Sequence, residues 1–97
     1  MKAYWIAHVD VSDAQAYSQY TSRAPAAFVK YGGRFLARGG KSEALEGRDT
    51  PQRSVVIEFD SYAQAVACYH SPEYQAAKRH RAGVARAEVI IVEGFDA

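Results

Sequence analysis

The stretch Tyr31-Gly32-Gly33-Arg34-Phe35-Leu36-Ala37-Arg38-Gly39-Gly40 constrains the fold more than any other part of the chain. Ahead of it, Tyr17, Tyr20, Ala24, Ala27, Phe28 and Tyr31 recur at helical spacing. Gly32-Gly33 ends that helix, because glycine takes the left-handed conformation without a steric penalty. An alternating strand follows at once, with Phe35 and Ala37 on one face and Arg34, Leu36 and Arg38 on the other. Gly39-Gly40 predicts a bulge or bend, with the strand resuming around Glu43-Ala44-Leu45-Glu46.

The rest of the chain supplies the partners of this helix and strand. Residues 3–11 read as a first strand, bulky at Tyr4, Trp5, Ile6, Val9 and Val11. Ser12-Asp13-Ala14-Gln15 fits a capping box for the first helix, and Pro25 predicts a kink or a break into two pieces. Gly47 to Pro51 is a turn-rich connection into a third strand, Arg53 to Phe59. There Val55, Ile57 and Phe59 alternate with Ser54, Val56 and Glu58. Ser61-Tyr62-Ala63-Gln64 is a second capping box. At Ser71-Pro72-Glu73 a further helix restarts, with serine at the cap, proline in the first turn and a carboxylate at the positive end of the dipole. The last strand is expected over Ala87 to Phe95.

Strand, helix, strand, strand, helix, strand makes an α+β fold. It is the ferredoxin-like β-α-β-β-α-β plait, a four-stranded antiparallel sheet with its helices on one face. The 97 residues are read as a single domain over 1–97. The other face of the sheet carries Leu36, Val56, Ile6 and Ile91 among charges, so a second copy is expected to cover it as a homodimer.

Composition narrows the function classes. A net charge of +1 offers no overall basic field for nucleic acid. No apolar run approaches the roughly 20 residues a membrane span needs, and Met1 to His8 turns polar too soon for a signal peptide. The expected location is the cytoplasm. Cys68 is the one cysteine, and His8, His70 and His80 lack close ligand spacing, so neither a disulfide nor a zinc site is expected. No motif calls for a cofactor; the glycine pairs lack phosphate-loop spacing.

Three segments together resemble the DUF1330 family: Tyr31 to Gly40, Val56-Ile57-Glu58-Phe59, and Tyr69-His70-Ser71-Pro72-Glu73-Tyr74-Gln75. Leu45-Glu46-Gly47 and Val92-Glu93-Gly94 fit it too, so the likeness spans essentially the whole chain. The resemblance implies a dimeric α/β barrel, two plaits packed sheet to sheet around a cleft. It brings no catalytic residues, because the family's biochemical function is not established. Cys68 departs from the pattern, standing where many relatives carry a tryptophan, which implies a smaller wall on that helix.

Alternation then selects the candidate site. Taking Ser54, Val56 and Glu58 as the open-face set of strand three, the matching sets are Arg34, Leu36 and Arg38, then Tyr4, Ile6, His8 and Asp10, and finally Val89, Ile91 and Glu93. His8, Arg38, Glu58 and Glu93 are expected to converge as ligand-binding residues, with His8 and Glu58 the catalytic candidates. A histidine titrates near neutral pH beside a carboxylate, and an arginine fork holds a carboxylate or enolate oxygen. The bland alternative makes Arg38 and Glu58 a structural ion pair and His8 merely hydrogen-bonded. His70 and Glu73 read as cap-flanking and dipole-complementing residues, and Lys78-Arg79-His80-Arg81 as a solvated helix end. The helix tyrosines read as core, and Cys68 as an inert thiol. Three functions compete: a dimer binding a small anionic metabolite in a polar cleft between sheets, a cofactor-free isomerase or monooxygenase-like enzyme acting on a small carbonyl compound, and a structural or stress-associated dimer without ligand.

Overall fold

Local capping sets where the helices begin. The computed structural model describes residues 1–95, in the order β1 (Ala3–Val11), α1 (Ala14–Thr21), α2 (Ala24–Lys30), β2 (Arg34–Arg38), β3 (Arg53–Phe59), α3 (Tyr62–His70), α4 (Pro72–Lys78) and β4 (Ala85–Glu93), with a 3-10 turn at Arg79–Arg81. Asp13 caps α1, its Oδ1 accepting from the Ala16 amide at 3.1 Å. The cap therefore falls one residue later than the predicted box, and with Ala16 at the third helical position no reciprocal side-chain bond is made. Ser12 instead donates through Oγ to the Val84 carbonyl at 3.1 Å, tying the end of β1 to the approach of β4. The helix stripe breaks at Ser22-Arg23, and Pro25 sits in the first turn of α2, where a missing amide leaves no hydrogen bond unmade. Ser61 caps α3 through the Gln64 amide at 3.1 Å, and Ser71 caps α4 through the Tyr74 amide at 3.0 Å.

The helix α2 stops at Gly32, whose φ of +82° is the left-handed turn that glycine alone enters cheaply. The next glycine has a packing reason. A Cβ on Gly33 would stand 2.9 Å from the Phe59 ring and 3.0 Å from Ile57.

The strands form one antiparallel sheet in the order β2-β3-β1-β4, the ferredoxin-like arrangement. All helices lie on one side, giving a slab only 17 Å thick between its Cα extremes. Its core is aromatic. Trp5, 1% exposed, meets Phe28 and Tyr74 edge-on at 5.1 and 4.9 Å between ring centres and touches Phe59 and Tyr69 at tilted angles. Cys68 is fully buried with Sγ 3.7 Å from the Ala27 carbonyl, and burial pushes its thiol up to about 12, so it stays protonated.

Two strands depart from the expected phase. In β2 the register runs Arg34 opposite Glu58 and Phe35 opposite Ile57, then skips to Ala37 opposite Val56 and Arg38 opposite Val55. The extra residue is Leu36, so the bulge falls there and not at Gly39-Gly40. One inserted residue reverses the alternation beyond it. Ala37 thus moves to the open face and Arg38 joins Phe35 on the helix side. The strand does not resume at Glu43 to Glu46, which form a loop. In β4, Val89 lies opposite Ala7, Ile91 opposite Trp5 and Glu93 opposite Ala3, all on the helix-side phase. The open-face residues of β4 are Arg86, Glu88, Ile90 and Val92. From Val89 to Val92 both phases are apolar, so alternation within that stretch does not orient the strand. The small Ala85 and Ala87, which pack beneath the helix layer, do.

Candidate functional site

On the open face the residues stand in rows, because directly opposed residues in a sheet share a side. One row is Arg34, Glu58, Tyr4 and Val92; the next is Ala37, Val56, Ile6 and Ile90; the third is Ser54, His8 and Glu88. His8 Nδ1 is 2.9 Å from Ser54 Oγ. Glu58 pairs with Arg34, accepting from its Nη2 at 2.7 Å and its Nε at 3.2 Å. Arg34 also reaches Asp60 at 3.1 Å, and Lys2 closes the group on Asp60 at 2.9 Å. At the other end, Arg48 from the β2–β3 loop meets Glu88 at 2.8 Å.

These positions separate the four residues the sequence brought together. His8 and Glu58 share the open face but belong to rows four β3 positions apart, roughly 13 Å at ~3.3 Å per residue. Arg38 lies on the opposite side of the sheet, because of the bulge. Glu93 lies at the far end of β1 from His8, opposite Ala3, and Glu88 takes the place beside His8. The cross-strand ion pair on Glu58 exists, but its cation is Arg34.

The hydrogen bond from Arg34 holds the Glu58 carboxyl below the usual carboxylate range. A lowered folded-state value stabilises the fold above the unfolded-state value and is lost as pH falls through the folded one. In a carbon-detected NMR titration, Glu58 is expected to protonate last among the glutamates of this face. Arg34→Met should bring it back into the ordinary range; an unchanged Glu58 midpoint in that variant would refute the pairing.

One concave feature, enclosed by aromatic side chains, lies on the helix side. A cavity of about 40 Å³ opens between α1, α2 and the β2–β3 end of the sheet. Trp5, Phe28 and Phe35 line its apolar part, and Tyr17, Arg38 and Arg53 lie among its polar lining. The Arg38 guanidinium carbon sits 4.3 Å from the centre of the Phe35 ring, a cation–π contact that holds the fork at the cavity wall. Arg53 approaches beneath Gly39: a Cβ there would stand 2.6 Å from Arg53 Nη1. Gly39 has φ +74°, and its amide donates to Ser54 at 2.9 Å, so the glycine both turns the chain and makes room for the guanidinium.

The electrostatics of this cavity are one-sided. Among the described residues neither Arg38 nor Arg53 has a carboxylate partner; the ion pairs there use Lys2, Lys30, Arg34 and Arg48. The Nε of Arg53 is buried without a hydrogen-bond acceptor. Burial raises the Tyr17 phenol above its ordinary value although Arg53 acts the other way, so at neutral pH it is a neutral hydroxyl. Tyr20 is raised still further by burial, and its hydroxyl is engaged with that of Tyr74 at 3.0 Å. Among the described residues no histidine or carboxylate lines the cavity.

Sequence reading missed Arg53. It stands two residues before Val55 and so in the buried phase of β3, and a cation in an otherwise apolar phase was the available signal. Among the described residues no three histidine, cysteine or acidic side chains gather as metal ligands, and no helix is long and apolar enough to cross a membrane.

The DUF1330 family model, described as a domain of unknown function, matches residues 2–95. No curated protein is similar in sequence. A protein of unknown function from Rhodopseudomonas palustris superposes with a TM-score of 0.79 at 19% identity, over 99% of this chain and 84% of that one. SnoaB, a cofactor-independent oxygenase from Streptomyces nogalater, gives 0.66 at 13% identity, over 99% and 95%. A dimeric ferredoxin-like protein of unknown function from Bacteroides fragilis gives 0.64 at 14% identity, over 96% of each chain. At such identities the likeness is one of fold.

Proposed function

This chain belongs to the DUF1330 family, and from that premise we propose that it acts as a homodimer binding a small organic anion in the helix-side cavity of each protomer. The observation that carries the reading is the pair Arg38 and Arg53, two cations at an aromatic-lined cavity with no carboxylate to answer them. A buried donor left unsatisfied costs about 1–3 kcal/mol, more when charged, and an anion held at the Arg53 guanidinium offsets part of that cost through its charge. Arginine also matches a carboxylate geometrically, two parallel donors to two oxygens.

The lining argues for binding over acid–base chemistry. An isomerase needs a group titrating near the working pH within reach of the substrate, and the cavity offers only raised phenols and guanidiniums. The shared fold with an oxygenase carries no activity across. Arg38 thus keeps its ligand-binding role but exercises it from the helix side, whereas His8 and Glu58 belong to the face that pairs with a second copy. Support for that pairing is the row Val56, Ile6 and Ile90, where Ile90 is 60% exposed and Val92 beside it 45%.

The test is a 15N-resolved NMR titration with butyrate, succinate and neutral butyramide. Butyrate should shift the amides around Phe28, Gly39 and Arg53, and butyramide should not. Arg53→Met should weaken butyrate at least tenfold. Gly39→Ala, which strains a positive φ and displaces the guanidinium, should do the same, whereas Gly40→Ala, with nothing within 4 Å, should leave binding intact. Anion binding indifferent to both Arg53 and Gly39 would move the site elsewhere.

A further inference from the structure

We infer that the ligand is a short-chain monocarboxylate, with three to five carbons in all, held head-outward at Arg38 and Arg53 with its tail in the aromatic cavity. This rests on the anion-binding reading above and narrows it by size and by lining. Size comes first. One water-sized group needs about 10–15 Å³ of such space, so about 40 Å³ admits roughly three or four of them. An apolar cavity that takes benzene measures about 150 Å³. An aryl carboxylate therefore does not fit unless the core opens, and a tail of two to four carbons does.

The walls resist opening. Phe28 is 4% exposed and locked between Trp5, edge-on at 5.1 Å, and Phe35, edge-on at 5.6 Å. Ala24, fully buried on the same helix, closes the side. Close-packed interiors of this kind do not yield a ring's volume without loss of contacts.

Lining decides the charge and the polarity. The guanidiniums of Arg38 and Arg53 are the charged groups of the cavity, and the rest of its polarity is hydroxyl: Tyr17, Tyr20 and Thr21. Tyr20 is already bonded to Tyr74. A second carboxylate on the ligand, as in a dicarboxylate, would enter the aromatic end and lose its hydration without a cationic partner. A polyol would leave most of its hydroxyls unsatisfied for the same reason. One anionic head and one apolar tail match the two guanidiniums and the aromatic wall.

The experiment is a calorimetric or NMR-detected series of acetate, propionate, butyrate, pentanoate, hexanoate and benzoate, with succinate and inorganic phosphate alongside, against the wild-type chain, Arg53→Met and Phe28→Leu. Affinity is expected to rise up to about fourfold per added carbon, the equivalent of ~0.8 kcal/mol per buried methylene, and to fall at hexanoate and benzoate. Phe28→Leu removes ring volume and should move the optimum one or two carbons longer, provided its circular dichroism matches the wild type. If that variant does not fold, the wild-type break in the series decides alone. Succinate, phosphate or benzoate binding as well as butyrate, in an Arg53-dependent manner, overturns the short-chain assignment and leaves the anion site standing. No Arg53-dependent binding of any of these anions overturns both.

Discussion

Replacing Trp5 by alanine is expected to destabilise the protein by about 3–5 kcal/mol, the range for deleting a large aromatic from a well-packed core. The residue earns that figure by position. It lies on the central strand β1, 1% exposed, between Ile57 on β3 and Ile91 on β4, and its ring touches Phe28, Phe59, Tyr69 and Tyr74. These rings come from α2, β3, α3 and α4, so a single substitution removes contacts to three of the four helices. The edge-on geometries at Phe28 and Tyr74 add to the loss beyond plain burial. Domains of this size commonly have only 5–15 kcal/mol in total, so the variant should melt roughly 12 °C or more below the parent. Urea unfolding at fixed protein concentration measures it, since association contributes to apparent stability. A loss under about 1 kcal/mol would mean that the helix layer does not pack on this ring.

How far the sequence reveals this architecture depends on how strongly each strand distinguishes its two faces. In β3, Val55, Ile57 and Phe59 against Ser54, Val56 and Glu58 leaves one phase purely apolar, and the strand reads correctly, as does β1. In β4 both phases carry branched apolar residues, and of the two alanines that settle the matter Ala87 is only the first residue of the expected strand and Ala85 precedes it. The β2 bulge has no local mark: Leu36 is neither glycine nor polar, and the register is set by pairing with β3 rather than by its own residues. That single unmarked insertion carried Arg38 from one side of the sheet to the other. The candidate site is therefore only partly legible in the sequence. Its arginine type and its glycine neighbour were visible at Arg38-Gly39, while its location required knowing which strand held an extra residue. The partner cation Arg53 was readable, as the one charge in the buried phase of β3, but only once burial itself was taken as the anomaly.

Placing a carboxylate at Ile90 is expected to convert the proposed homodimer to a monomer while leaving the protomer folded. Val56, Ile6 and Ile90 form a continuous apolar row across three strands. The rows on either side are charged: Arg34 with Glu58 at one end, Arg48 with Glu88 at the other. A row of this kind flanked by both signs of charge is self-complementary under a two-fold axis. Burying one isoleucine side chain is worth about 1.5–3 kcal/mol, and symmetry loses it twice in Ile90→Asp. Two desolvated carboxylates facing one another add to that, so the dissociation constant should rise at least a thousandfold. Because Ile90 is 60% exposed in the single protomer, its replacement removes little from the core, and the circular dichroism should hold. Light scattering should then report a mass near 10.7 kDa for the variant and about twice that for the parent. Val29→Asp supplies the control, since Val29 is 70% exposed on α2, away from the sheet face, and should stay dimeric. A parent chain already at 10.7 kDa would refute the homodimer itself, and an Ile90→Asp variant that still pairs would place the interface off the open face. The cavity lies on the other side of the sheet, so the monomeric variant should still bind butyrate, which separates assembly from ligand binding in one molecule.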